Sequence, residues 1–308
     1  METRRSEHSS WWRRWELPTW ALAVAIYAGW LALTWWASQL PWWLVAAGGG
    51  WLVAWHGSLQ HEVIHGHPTR SSRINHALGA LPLGLWLPLG LYREEHIAHH
   101  RAEPLTDPEV DPESNYVTAE AWARKGSVGR ALCWARATLL GRMVLGPWHV
   151  VLSLWRRELL RLWRGDTRHL RPWLAHVVGA AAVLAWVVGV CGLPLWSYVL
   201  FFAYPGLALT LLRSYAEHSP APTQRERTAI VDRSPLFGLL FLFNNLHVVH
   251  HDDPRLPWYD IPARYRRDRA RYRAQAGEAY YRGYGSLFRR YAMRPIDAPL
   301  HPDHRRAT

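Results

Sequence analysis

Four long runs without a charged residue constrain this chain more than any other feature: residues 18–38, 41–60, 172–191 and 194–212. About 20 predominantly apolar residues are needed for a helix to cross the hydrocarbon core of a bilayer, so each run is read as a transmembrane helix. Only a few residues separate the first run from the second and the third from the fourth. Each pair therefore predicts a helical hairpin, because backbone in lipid must satisfy its own hydrogen bonds. A charged start followed by an apolar run also describes a signal peptide, but this run exceeds an h-region of about 7–15 residues and a second follows at once. An uncleaved anchor is the expectation.

The charges sort these runs by side. Lysine and arginine total 36 against 24 aspartates and glutamates, a net +12, and Lys125 is the one lysine. The arginines flank the apolar runs: Arg4, Arg5, Arg13 and Arg14 precede the first, Arg168 and Arg171 precede the third, and Arg213 follows the fourth. Short arginine-rich flanks mark the cytoplasmic side, so four spans with both termini inside follow. No zinc-finger spacing, RNA-binding signature or basic heptad accompanies this charge, which sets nucleic acid aside as a partner. The 21 tryptophans suit the boundary between headgroups and acyl chains. Cys133 and Cys191 stand in separate hydrophobic surroundings, so neither a disulfide framework nor a thiolate metal site is expected.

Between the hairpins, residues 77–91 are apolar but too short to cross, and Pro82, Pro88, Gly79, Gly84 and Gly90 interrupt them; a re-entrant or interfacial segment is expected. From Thr118 to Arg171 tryptophan and leucine mix with arginine, as amphipathic helices lying in the headgroup plane do. The fold class is thus an all-α membrane protein with two hairpins, interfacial helices and a cytoplasmic cap. We read residues 1–308 as one domain, with a core at about 20–260 and a basic cytoplasmic segment at 261–308. The arginines from Arg264 to Arg273 would bind anionic headgroups or, less simply, an acidic electron-transfer protein.

Three histidine clusters lie on the expected cytoplasmic side: HEVIH at 61–65, HIAHH at 96–100 and HVVHH at 247–251. On a helix, residues three and four apart share a face, so each cluster can present its imidazoles toward a common point: His61 and His65; His96, His99 and His100; His247, His250 and His251. Neutral imidazole is the usual protein ligand for first-row transition metals, and eight exceed what one ion can use. Two ions are implied. Two copies of HxxHH are improbable by chance from 18 histidines in 308 positions. The isolated His8, His56, His76, His149, His169, His176, His301 and His304 are read as surface or packing residues.

HEVIH also fits HExxH, in which two histidines hold zinc and Glu62 is the general base of a metalloprotease. That reading leaves both HxxHH clusters without a purpose. Glu62 is instead expected to orient a ligand imidazole, as some neighbour of a metal-bound histidine must; Glu217 and Asp252, next to histidines in sequence, are expected to do the same, with Glu94, Glu95 and Asp253 available as further counter-charge. Asn244 and Asn245 are read as helix caps. Asp107, Glu109, Asp111 and Glu113 alternate with prolines but lack the EF-hand order, and are read as a structured loop packed on the site.

The ordered set HEVIH, HIAHH and HVVHH resembles the three histidine boxes of the membrane fatty acid desaturase and hydroxylase superfamily, over residues 20–260. HEVIHGHPTR, LTDPEVDPES at 105–114 and RSYAEH at 213–218 are most similar to bacterial desaturases of the rhizobitoxine-desaturase-like group. The resemblance implies two irons held by the eight box histidines, dioxygen as oxidant and an acyl or other membrane-lipid substrate. It also implies a ninth histidine between the second and third boxes, and His218 is the one placed to match it. With no haem-binding or ferredoxin-like portion in the sequence, electrons are expected from a separate donor of ferredoxin or cytochrome type with its reductase. Desaturation is the first expectation; a hydroxylase or ketolase of the same superfamily would carry the same boxes, and a zinc intramembrane protease is the rival outside it.

Overall fold

A computed structural model describes residues 10–305; Arg4, Arg5 and His8 lie outside the described residues. Helix α1 (Leu17–Trp36) is prolonged by a 3-10 turn, Ala37–Gln39, and the chain returns at once as α2 (Trp42–Ile64). Pro18 opens α1 and Pro41 precedes α2, positions where a missing N–H removes no helical hydrogen bond. Then come α3 (Leu89–His99), α4 (Ser127–Arg136), α5 (Leu139–Trp163) and α6 (Leu170–Leu184), which winds on as a π-helix, Ala185–Val190. Leu195–Tyr198 and the π-helical Val199–Ala203 lead into α7 (Tyr204–Ser214), and α8 (His247–Asp252) is a short helix.

Three stretches among the described residues are long and apolar enough to cross a membrane: Leu17–Gln39, Leu170–Val190 and Leu195–Ser214. The expected fourth, α2, has the length at 23 residues, but its glycines, tryptophans and His56 dilute its hydropathy. It is nonetheless the central helix, packing on both α1 and α7. Small residues allow this approach: a Cβ on Gly49 would meet Phe201 O at 2.5 Å, and one on Gly206 would meet Val53 Cγ1 at 2.5 Å. Close backbone contact of this kind is how helices pack where lipid tails give no hydrophobic drive.

Residues 80–88 are largely irregular, as their prolines and glycines require, and fold in against the long helices. Their carbonyls are taken up by side chains from those helices: Tyr198 Oη donates to Leu83 O at 2.7 Å, and His176 Nε2 to Leu85 O at 3.3 Å. Just before them, Gln60 Nε2 donates to Gly79 O at 2.9 Å. Irregular backbone at membrane depth is tolerated when buried in protein in this way. The amphipathic reading of residues 118–171 fits α5, where Trp148, Leu152, Trp155, Leu159 and Trp163 form an exposed stripe at helical spacing while Arg142, Leu154 and Glu158 are buried.

The C-terminal segment is not a loose appendage. Ile230–Val231 pairs in parallel with Tyr280–Tyr281, and Ile230, Val248, Val249, Ile261, Tyr265 and Tyr272 form one buried cluster. Four arginines of the 264–273 stretch form ion pairs: Arg264 with Asp253, Arg267 with Asp268, Arg269 with Asp232 and Arg271 with Asp252. His301 is fully buried and 3.0 Å from Thr106 Oγ1, so the end of the chain braces the 105–114 loop.

Candidate metal centre

Each box sits at a helix end. The hairpin's return helix α2 carries His61 in its last turn and His65 as its C-cap; α3 ends on His96, His99 and the cap His100; α8 carries His247, His250 and His251. His218 follows α7 by four residues and is held by an antiparallel bridge to Thr228.

The structure gathers all nine into two groups: His61, His65, His96, His100 and His250 in one, His99, His218, His247 and His251 in the other, with the ligand atoms of each group within 4.8 Å of one another. This corrects the expectation that each box aims at one point. In both HxxHH boxes the histidines at i and i+4 join the same group and the one at i+3 joins the other. With about 100° per residue, i+3 and i+4 fall on opposite sides of i, so one turn of helix feeds two neighbouring sites. The other histidines stay outside: His56 lies 3.3 Å from Tyr27 Oη, and His169 bonds Glu158.

The ring orientations fit a metal. His218 Nδ1 donates to Arg227 O at 3.0 Å and His247 Nδ1 to Asn244 Oδ1 at 2.9 Å. A carbonyl oxygen only accepts, so both protons are on Nδ1 and both Nε2 atoms carry lone pairs. Those two Nε2 atoms face each other at 2.9 Å. In the other group His96 Nε2 lies 2.9 Å from His65 Nε2 and 3.2 Å from His100 Nε2, and His250 Nε2 lies 3.1 Å from His100 Nε2. Between His218 and His247 the opposed lone pairs repel unless a cation lies between them. An imidazole nitrogen binds a divalent metal such as zinc at about 2.1 Å, so ligands at right angles are about 3 Å apart. The buried Nε2 atoms of His99 and His251 have no hydrogen-bond partner at all, as expected of ring nitrogens kept for an ion.

Burial favours the neutral form of five of these rings. It pushes His100 and His218 down to about 3, each helped by neighbouring histidines, and His247, His250 and His251 well below the ordinary imidazole value. Two carboxylates of the 105–114 loop hold one ring of each group. Glu113 Oε1 accepts from His96 Nδ1 and Asp111 Oδ1 from His99 Nδ1, both at 2.8 Å. Burial would raise the Glu113 carboxyl, but His96, His99 and Arg213 outweigh it and hold the group well below the carboxylate range. For His99 burial lowers the value, but the Asp111 hydrogen bond and the charges of Glu113, Asp111 and Glu217 together outweigh it, and the value rises.

The carboxylates expected to orient ligands divide three ways. Glu217 is buried 3.5 Å from His247 Nδ1 and 2.9 Å from Arg213 Nε. Glu62 lies 3.9 Å from His61 Nδ1, beyond a hydrogen bond, and accepts from Trp258 N at 3.3 Å instead. Asp252 turns away: it accepts from Arg271 Nη2 at 2.7 Å and Tyr272 Oη at 2.9 Å, because the residue after a ligand on a helix points about 100° from it. Glu94 and Glu95 pair with His169 and Arg157. Neither asparagine caps a helix. Asn244 links the two groups, its Oδ1 on His247 and its Nδ2 3.3 Å from His61 Nε2, while Asn245 Nδ2 donates to Val231 O at 2.7 Å. The loop reading of residues 105–114 was legible from its prolines and acids; the individual tasks of Asp111 and Glu113 were not.

A cavity of about 340 Å³ lies beside this centre, between the helices. Leu85, Trp86, Leu154 and Leu207 line it, and so do Glu113 and Glu217, which touch His96 and His247 on the side of the centre.

No curated protein matches the chain. The fatty acid desaturase family model matches residues 40–284, a stretch that holds all three boxes, His218, the acidic loop and the cavity walls, and the chain therefore belongs to the fatty acid desaturase family.

Proposed function

We propose that this membrane oxidoreductase binds two irons, takes dioxygen as oxidant and electrons from a separate ferredoxin- or cytochrome-type donor, and desaturates an acyl chain or related lipid-like substrate. The observation that carries this is the division of nine buried and half-buried histidines into groups of five and four. His61, His65, His96, His100 and His250 would hold one ion, and His99, His218, His247 and His251 the other. Iron supplies what acid–base chemistry lacks, the removal of hydrogen from an unactivated carbon. The protein's own part is placement. Asp111, Glu113 and Asn244 fix the tautomer and tilt of their histidines, as partners of metal-bound imidazoles do. The apolar part of the 340 Å³ cavity wall, Leu85, Trp86, Leu154 and Leu207, would hold a hydrocarbon chain beside the centre. In this reading α2 is a fourth span beside the three apolar ones, and both termini and the histidine groups lie on the cytoplasmic face, the side that short arginine-rich flanks favour.

Five imidazoles about the HEVIH pair also leave no open position of the kind a zinc protease needs. The test is metal analysis of the purified protein together with mass spectrometry of lipids from a host lacking the activity. Two irons per chain and a product short of two hydrogens are expected. A single zinc, or no change in any lipid or acid, overturns the reading.

A further inference from the structure

A second chamber, about 180 Å³, abuts the cavity just described, and Glu113, Ser114, Asn115, Arg136, His149 and Ser214 line both. Three cations converge on it: Lys125, Arg136 and Arg142. Among the described residues none of the three forms an ion pair. The chamber's own acids are taken up elsewhere, Asp111 by His99, Glu113 by His96 and Asp297 by Tyr116. Arg142 is only 7% exposed, and its one hydrogen bond runs from Nε to Arg136 O at 3.2 Å. Its Nη1 and the Nε of Arg136 are buried without a hydrogen-bond partner, and its guanidinium lies over the Tyr215 ring, 5.9 Å from the centroid.

Unpaired guanidinium nitrogens out of water cost free energy unless an anion meets them. The two arginines also repel each other: burial first, then Arg136, pulls Arg142 down to about 10. A headgroup contact does not account for Arg142, which faces inward. A built recess with forked donors, next to a cavity that Leu85, Trp86, Leu154, Leu207 and Leu211 line on one part, calls for a planar anion attached to a hydrocarbon chain.

We propose that this chamber binds the carboxylate of the substrate, so that the reacting molecule is an acid whose carbon chain runs from the chamber into the 340 Å³ cavity. Asp111, Glu113 and Asp297 in the lining repel a dianion more than a monoanion, which favours a carboxylate over a phosphate. The proposal rests on the oxidoreductase reading for its consequence, substrate choice, but the binding site is testable apart from it.

Detergent-purified full-length protein is titrated by calorimetry with octanoate, methyl octanoate and inorganic phosphate, and the iron content of each sample is measured. Octanoate is expected to saturate one site while the ester and phosphate do not. Arg142→Gln and the half-exposed Arg136→Gln should each weaken octanoate by about ten- to a hundred-fold, the range for a lost charge-assisted hydrogen bond, and Arg142→Lys by less. Equal binding of acid and ester, phosphate binding as tight as octanoate, or unchanged affinity in both glutamine variants would overturn the proposal. No octanoate binding by protein holding two irons sinks the carboxylate site alone. Octanoate binding by protein that holds no iron supports the site and sinks the di-iron reading.

Discussion

The two histidine groups are neighbours built in different ways. The five-histidine group takes both ligands of the first box, the i and i+4 pair of the second and one residue of the third; the four-histidine group takes one residue of the second box, the i and i+4 pair of the third, and His218. All members of the first group thus come from the three boxes, at the ends of α2 and α3 and on α8. The second depends on a residue whose position is set by the bridge between His218 and Thr228 and by the carbonyl of Arg227. The first group needs only the mutual orientation of α2, α3 and α8, whereas the second also needs a residue placed by a bridge outside any box.

The strongest way to break this division is to separate two histidines of one box. Ala in place of His96 or of His99 is expected to reduce turnover to background, since each removes a ligand. The metal sites should differ: His96→Ala loses the ion of the five-histidine group and His99→Ala that of the four-histidine group, each keeping about one iron of two under the proposed stoichiometry. Mössbauer spectra of the two variants should report different remaining irons. Identical spectra would mean that the second box serves one site.

His218→Ala should reproduce His99→Ala in both turnover and residual iron, despite lying outside every box, because it leaves the same group with three imidazoles. Retention of both irons and normal turnover would reduce the centre to eight histidines. His176→Ala, which loses only a bond to Leu85 O, should keep its iron.

A smaller effect follows from the acidic loop. Loss of an orienting carboxylate typically costs about 10–100-fold in metal affinity, so Glu113→Gln should weaken the five-histidine group and Asp111→Asn the four-histidine group. Competition with a chelator would show which iron leaves first in each. The same iron leaving first in both variants would separate the loop from the division proposed.

Much of this centre was readable before any coordinates, and what was not has a common cause. The boxes declare themselves because ligands three and four residues apart need only one helical turn. The apolar runs declare three of the long helices, while α2 falls short because it spends its length on small residues for close packing and on His56 and His61. Which histidine belongs to which group depends on how α2, α3 and α8 are turned toward one another, and no local pattern encodes that. Asp111 and Glu113 meet their histidines across 12 and 17 residues, so their type was visible and their partners were not. His218 was placed by family resemblance, not by spacing.

Asp252 is the counter-example that sharpens the point, and it carries the smallest expected effect. It follows His251 directly, yet its carboxylate bonds Arg271 and Tyr272 and its side chain is 34% exposed. An exposed ion pair contributes about 0.2–1 kcal/mol, so Asp252→Asn should lower the thermal midpoint slightly by loosening the 269–276 helix from α8. Both irons and the chelator response should stay as in the wild type, in contrast to Asp111→Asn, whose residue is twelve positions from its histidine. If Asp252→Asn instead released iron as readily as Asp111→Asn, nearness in sequence would have mattered after all. The side chain would then have to swing about 100° around α8 to reach His251, and a hydrogen bond to that ring, absent from the present geometry, would be needed to explain the loss.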